Sequence, residues 1–165
     1  MLGLSLTLLV LASQALADWT VTISPKSDPS RCFTSTGVGN PVKILPCDSS
    51  ESQKWTTWEG CGSLIWQSST GKDIILQAGY RLTPDWPERA WQPKAGSVVI
   101  LNSTWTRPDT GMTFLRKEGH IENAFADQFV GYNQCLDWKD GAGEVLQLWN
   151  CVEGNSNQQF DVRYA

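Results

Sequence analysis

One histidine, two methionines and no closely spaced pair of cysteines set the first limits on this 165-residue chain. A structural zinc site needs ligands a few residues apart. Cys32, Cys47, Cys61, Cys135 and Cys151 are widely separated, and His120 has no Cys or second His nearby. No metal or other cofactor is expected. Positive charge is also scarce, with 13 Lys and Arg against 17 Asp and Glu and a formal net charge of -4. Lys43, Lys54, Lys72, Lys94 and Lys139 stand singly, so the concentrated cationic field that binds nucleic acid is missing. Apolar runs are short, and none reaches the roughly 20 residues of a membrane span. The composition is nonetheless that of a folded protein, 41% hydrophobic and 18% charged, with no Gly-X-Y period. A single domain is expected, because two halves of this length would have marginal cores.

Residues 2–13, LGLSLTLLVLAS, are followed by small residues at Ala15 and Ala17. This is the pattern of a secretory signal peptide over 1–17, cleaved after Ala17, although no Lys or Arg follows Met1. The folded domain is then 18–165, and the location secreted and extracellular. In that oxidising compartment cysteines form disulfides.

Internal repetition is the most informative feature. Residues 31–55 read RCFTSTGVGNPVKILPCDSSESQKW, and residues 134–160 read QCLDWKDGAGEVLQLWNCVEGNSNQQF. Each has a Cys before an apolar residue, a Gly-containing turn (Gly39 or Gly143), a short apolar run ending in a second Cys, and Gln-x-aromatic. A degraded copy lies between them. Ile75-Leu76-Gln77 replaces Cys-Leu-Asp, residues 96–101 match 143–148, Thr104 replaces the second Cys, and Met112-Thr113-Phe114 replaces Gln-x-aromatic. The middle copy lacks both cysteines together, as loss of a bonded pair requires. The pairing is therefore Cys32 with Cys47 and Cys135 with Cys151, each closing a loop that contributes about 3 kcal/mol. Cys61 is left over, as a buried free thiol or an intermolecular bridge.

Short β-branched and aromatic runs separated by Gly, Pro, Ser, Asp and Asn predict twelve strands, four per copy: 19–23, 31–34, 42–47, 54–58, 64–67, 74–77, 98–102, 112–116, 120–123, 134–138, 145–150 and 159–163. Residues 115–118 and 123–129 permit helical turns but carry no long helical period. Thr20, Thr22, Gln147 and Asn150 interrupt their strands as a solvated face would. The fold class is all-β. Three four-stranded copies, each unable to bury its apolar face alone, would close around a pseudo-threefold axis.

These motifs resemble the ricin-B-type lectins, whose repeats carry Cys-Leu-Asp near the start and Gln-x-Trp near the end. The resemblance spans nearly all of 18–165. It is strongest over 134–160, moderate over 31–55 and weak between them. It implies a β-trefoil and a carbohydrate-binding function without catalysis. A pyranose has one apolar face and a rim of hydroxyls, so its site needs an aromatic surface with amides and carboxylates beside it. The third copy holds Asp137, Gln147, Trp149, Asn157 and Gln158, which match the family's galactose-type site. The resemblance implies that Asp137 accepts from vicinal hydroxyls, Trp149 stacks, Asn157 donates, Gln158 braces Asp137 and Gln147 lines the pocket. Singly, each has an ordinary alternative: Trp149 as core, Asp137 as a turn residue, and Asn157 and Gln158 as partners of loop backbone.

The other copies lack the set. Thr34, Lys43, Leu45, Ser52 and Gln53 stand in the first, and Gln77, Ile100, Asn102, Gly111 and Met112 in the second. Asn102-Ser103-Thr104 is also a glycosylation sequon, and a glycan on Asn102 would occupy the place equivalent to Trp149. One site per chain is expected, with galactose or N-acetylgalactosamine-type glycans as partners and a monomer or weak dimer as the state.

The long connection 80–94 of the middle copy, with Tyr80, Trp86, Trp91 and three prolines, has two readings. It folds over the open end of the barrel, or it projects as the contact loop of a protease inhibitor or surface-interaction protein. An enzyme is disfavoured. Asp137 and Asp140 flank a turn instead of a cleft, Gly71-Lys72 has no phosphate-loop context, and no catalytic residues are assigned.

Overall fold

A computed structural model describes residues 19–57, 64–66, 74–78, 95–102, 114–117, 119–123 and 133–165. The expected signal peptide, Cys61 and the connection 80–94 lie outside the described residues.

Among the described residues there are twelve strands, one at each expected place: β1 (Trp19–Pro25), β2 (Arg31–Thr34), β3 (Lys43–Pro46), β4 (Trp55–Thr57), β5 (Leu64–Trp66), β6 (Ile74–Ala78), β7 (Val99–Asn102), β8 (Phe114–Lys117), β9 (His120–Asn123), β10 (Gln134–Trp138), β11 (Leu146–Asn150) and β12 (Phe160–Tyr164). The stretch 114–117, which also permitted a helical turn, is strand. All the pairings among these described strands are antiparallel. The first strand joins the last, with Val21 opposite Tyr164 and Pro25 opposite Phe160. Strand β1 also pairs with β4, β4 with β5, and β8 with β9, so each repeat is sewn to the next. Within the repeats, β2–β3, β6–β7 and β10–β11 form three hairpins.

The hairpins meet around a common axis through three equivalent bridges, Pro41 to Ile100, Lys43 to Val145 and Val98 to Gln147. Three equivalent hydrogen bonds run with them: Leu101 N–H to the Asn40 carbonyl at 3.2 Å, Leu148 N–H to Ser97 at 2.7 Å, and Ile44 N–H to Glu144 at 3.0 Å. The turn glycines beside these residues, Gly39, Gly96 and Gly143, have φ of 79°, 86° and 74°. A side chain would strain all three turns in the same way. This is a β-trefoil.

The core repeats the same symmetry. Ile44, Leu101 and Leu148 are equivalent and fully buried, as are Val42, Val99 and Leu146. Each such side chain contributes roughly 1.5–3 kcal/mol on burial. Aromatic residues of the Gln-x-aromatic motifs complete the packing. Trp55 is fully buried and donates from Nε1 to the Phe33 carbonyl at 3.1 Å. Phe160 meets Phe33 edge-on with centroids 5.0 Å apart.

Both inferred disulfides are present, Cys32–Cys47 and Cys135–Cys151. On β1 the expected alternation holds, with Val21 and Ile23 buried between half-buried Thr20 and Thr22. On β11 it fails at Gln147, which is 8% exposed. That amide points outward but is covered, because it is hydrogen-bonded to Asp137. Among the described residues no helix is long and apolar enough to cross a membrane.

Candidate functional site

The third hairpin brings its polar residues together through strand register. Asp137 on β10 lies directly opposite Gln147 on β11, and Cys135 lies opposite Trp149. Directly opposed residues share a face, so Asp137, Gln147, Cys135 and Trp149 all point outward from the hairpin. Leu136, Leu146 and Leu148 alternate with them and fill the core.

Asp137 is only 4% exposed and is surrounded by amides. Gln147 Nε2 donates to Oδ1 at 3.0 Å, and Gln158 Nε2 donates to Oδ2 at 3.2 Å. Asn155 Nδ2 reaches Oδ2 at 3.5 Å, a long contact at the limit of a hydrogen bond. A carboxylate has about four acceptor positions, so these three donors leave room for another. Buried carboxylates are costly unless hydrogen-bonded, and the two glutamines meet that need without adding charge.

Gln158 is itself fully buried and anchored at both ends. Its Nε2 also donates to the Asn150 carbonyl at 2.8 Å, while its Oε1 accepts from Val152 N–H at 2.9 Å. The Gln-x-aromatic motif therefore carries two functions. Its glutamine clamps the hairpin, and its aromatic enters the core.

Trp149 is 43% exposed, near the end of β11 and two residues before the disulfide cysteine Cys151. Its indole is not a core residue. Asn157 comes from the short 3-10 turn Ser156–Gln158, which is capped when the Asn155 side chain accepts from Asn157 N–H at 3.0 Å. The Asn157 side chain lies over Gly141, where a Cβ would come within 2.6 Å of its Oδ1. Gly141 also has a φ of 62°, a backbone conformation that favours glycine.

The structure thus joins Asp137, Gln147 and Gln158 in one hydrogen-bonded cluster. Trp149 sits on the same face, and Asn157 is held over the adjoining turn. Two details differ from the sequence reading. Gln147 braces the carboxylate as directly as Gln158 does, and Asn155 joins the cluster unforeseen. The only sequence signal for Asn155 is an Asx-type cap two residues before Asn157.

Register also tests the comparison between repeats. Thr34 faces Lys43 and Cys32 faces Leu45 in the first hairpin. Gln77 faces Ile100 and Ile75 faces Asn102 in the second. These are the inferred equivalents, and neither set offers a carboxylate with a tryptophan. In the first repeat Gln53 donates from Nε2 to Thr34 Oγ1 at 3.0 Å and to the Pro46 carbonyl at 2.9 Å, and accepts from Asp48 N–H at 2.8 Å. Lys43 is directed to Glu144, with Nζ to Oε2 at 2.7 Å, and lowers that carboxyl's pKa chiefly through this hydrogen bond. In the sequon, Asn102 ends β7, and Ser103 and Thr104 lie outside the described residues.

One group has the geometry of a metal site, Glu122 with Cys135 and Cys151. Both sulfurs are bonded to each other, so neither is a thiolate ligand.

No sequence model of a known family matches the chain, and no curated protein matches it in sequence. Solved structures do match. The β-trefoil lectin of the Vibrio vulnificus hemolysin/cytolysin, with N-acetyl-D-lactosamine bound, aligns over 90% of this chain and 96% of its own, with TM-score 0.64 and 15% identity. A Macrolepiota procera ricin B-like lectin in complex with lactose aligns over 93% of this chain and all of its own, with TM-score 0.59 and 16% identity. The chain has the fold of the β-trefoil lectins. The agglutinin from Abrus precatorius aligns over 93% of this chain, with TM-score 0.64 and 15% identity; the match spans about half, 51%, of the agglutinin chain.

Proposed function

We propose that this β-trefoil is a secreted lectin that binds galactose or N-acetylgalactosamine-type glycans at one site, in the third repeat, without catalysis. The observation that carries the reading is the placement of Asp137 and Trp149 on one outward face, the carboxylate braced by amides and the indole open to solvent. Asp137 would accept from a vicinal pair of sugar hydroxyls, Trp149 would stack on the apolar ring face, and Asn157 would donate from the rim. Two of the similar structures hold N-acetyl-D-lactosamine and lactose, ligands of the same sugar class.

Secretion rests on the 1–17 pattern and the two disulfides. The state is a monomer or weak dimer with Asn102 glycosylated. A single site gives no avidity, so the monomer binds without cross-linking cells.

Isothermal titration of galactose, N-acetylgalactosamine, lactose and glucose into the secreted chain tests the reading. Saturable binding of one or more of the first three, at a stoichiometry near one, supports it. Absence of heat from all of them, and of binding on a broad glycan array, rejects it. Mass spectrometry of the secreted product checks that it begins at Asp18 and that Asn102 carries a glycan.

A further inference from the structure

The outward face of the third hairpin does not end at β11. Val98 of the second repeat is bridged to Gln147. Leu148 N–H donates to the Ser97 carbonyl, and Gly96 N–H donates to the Leu148 carbonyl, both at 2.7 Å. Residues 97 and 98 therefore run antiparallel along the other side of β11, and Gly96 and Ser97, both hydrogen-bonded to Leu148, form a bulge there. One row crosses three strands on one face: Asp137, Gln147 and Val98. Gly96, at a φ of 86°, lies at the bulge next to Trp149.

Gly96 has no side chain to rise above the indole. A Cβ there would lie 3.8 Å from Trp149 Cζ3. The exposed indole therefore continues across Gly96 as an open shelf, bordered by Val98, which is 37% exposed. From Asp137 to Val98 the row crosses two strand spacings, about 9.5 Å, which is more than one pyranose ring covers. The equivalent rows end in Val145 beside Lys43 and in Pro41 beside Ile100, with Leu45 or Asn102 in place of the indole.

We propose that Gly96 and Val98 form a second sugar subsite, supplied by the second repeat. It receives the apolar face of the ring next to the terminal galactose-type residue, so the site reads a disaccharide. The proposal rests on the lectin reading above. The occupant follows from continuity: a glycan held by its hydroxyls at Asp137 and by its ring on Trp149 extends over Val98, the exposed apolar residue that ends that row.

The test is isothermal titration of galactose, lactose and N-acetyllactosamine into the full chain and its Val98→Ser, Val98→Thr and Val98→Ile variants. Val98 is partly exposed and the substitutions are small, so thermal unfolding should be close to that of the parent. A disaccharide should bind the parent several-fold more tightly than galactose. Val98→Ser, which loses one methyl and exchanges the other for a hydroxyl, should reduce that advantage at least about fourfold, the effect of losing one methylene's worth of buried apolar contact, and leave galactose affinity unchanged. Val98→Thr should act in the same direction, and Val98→Ile should keep the advantage. Equal affinities for galactose and both disaccharides in the parent would overturn the subsite alone. So would a Val98→Ser or Val98→Thr variant that weakens galactose and disaccharide equally. Absence of any galactose binding would overturn the pocket itself and the subsite with it.

Discussion

Asp137 and Thr34 occupy equivalent positions in two repeats, and each accepts a hydrogen bond from the glutamine of its own Gln-x-aromatic motif, at 3.2 Å from Gln158 and 3.0 Å from Gln53. The clamp around them is the same. Each glutamine also donates to a carbonyl near the end of the hairpin and accepts a backbone N–H two residues further on. The repeats differ in what the clamp presents, a hydroxyl in one and a carboxylate in the other.

That relationship separates stability from binding. Gln53→Ala and Gln158→Ala should each lose about 1–3 kcal/mol, because buried partners are left unsatisfied. Only Gln158→Ala should also weaken sugar binding. Urea unfolding and titration of both variants check this, and equal binding loss in the two would contradict the assignment of the site to the third repeat.

Replacing Asp137 removes the acceptor. Asp137→Ala should reduce galactose affinity by about 10–100-fold or more, as loss of a charge-assisted hydrogen bond predicts. It should also destabilise the fold modestly, since Gln147 and Gln158 lose their shared partner. Circular dichroism should show an unchanged β spectrum, while titration shows the lost affinity.

Trp149→Ala should weaken binding with little change in unfolding midpoint, because the indole is largely outside the core. Trp55→Ala should do the reverse, costing about 3–5 kcal/mol through the cavity it leaves in the core. Tryptophan fluorescence titrated with sugar gives a second readout, and it should be silent in Trp149→Ala.

Replacing Cys135 and Cys151 together with serine should lower stability by about 3 kcal/mol and also loosen the strand that carries Trp149. Replacing Cys32 and Cys47 should cost a similar amount but leave binding intact. Guanidinium unfolding and titration of the two double variants distinguish these outcomes.

Acid should act on three exposed carboxyls whose pKa values are lowered in the folded chain. The causes, foremost, are hydrogen bonds from Lys43 to Glu144, from Ser30 to Asp28 and from Ser50 to Asp48. A folded pKa below the unfolded one contributes stability above the unfolded value, near pH 4, and loses it as pH falls through the folded value. Unfolding midpoints should therefore be level from neutrality to about pH 4.5 and decline below it. Lys43→Met should make the acid decline slightly shallower, since exposed pairs contribute little.

The sequence alone determined the repeat, and with it the fold. Matched cysteines, turn glycines and Gln-x-aromatic motifs recur because three copies must present the same apolar residues to one axis. Strand alternation by itself puts Gln147 and Trp149, two residues apart, on one side of β11. What local pattern could not decide was which polar groups are buried. Gln147 read as solvated, yet Asp137 covers it from across the hairpin. Nothing in the sequence singled out Asn155, yet the turn after Cys151 folds it toward that same carboxylate. Nor does any pattern within one repeat place Gly96 beside Trp149 or Val98 beside Gln147, because those contacts exist only once the second and third repeats pack together. Periodicity specifies each strand's faces; only closure of the three units specifies which faces meet.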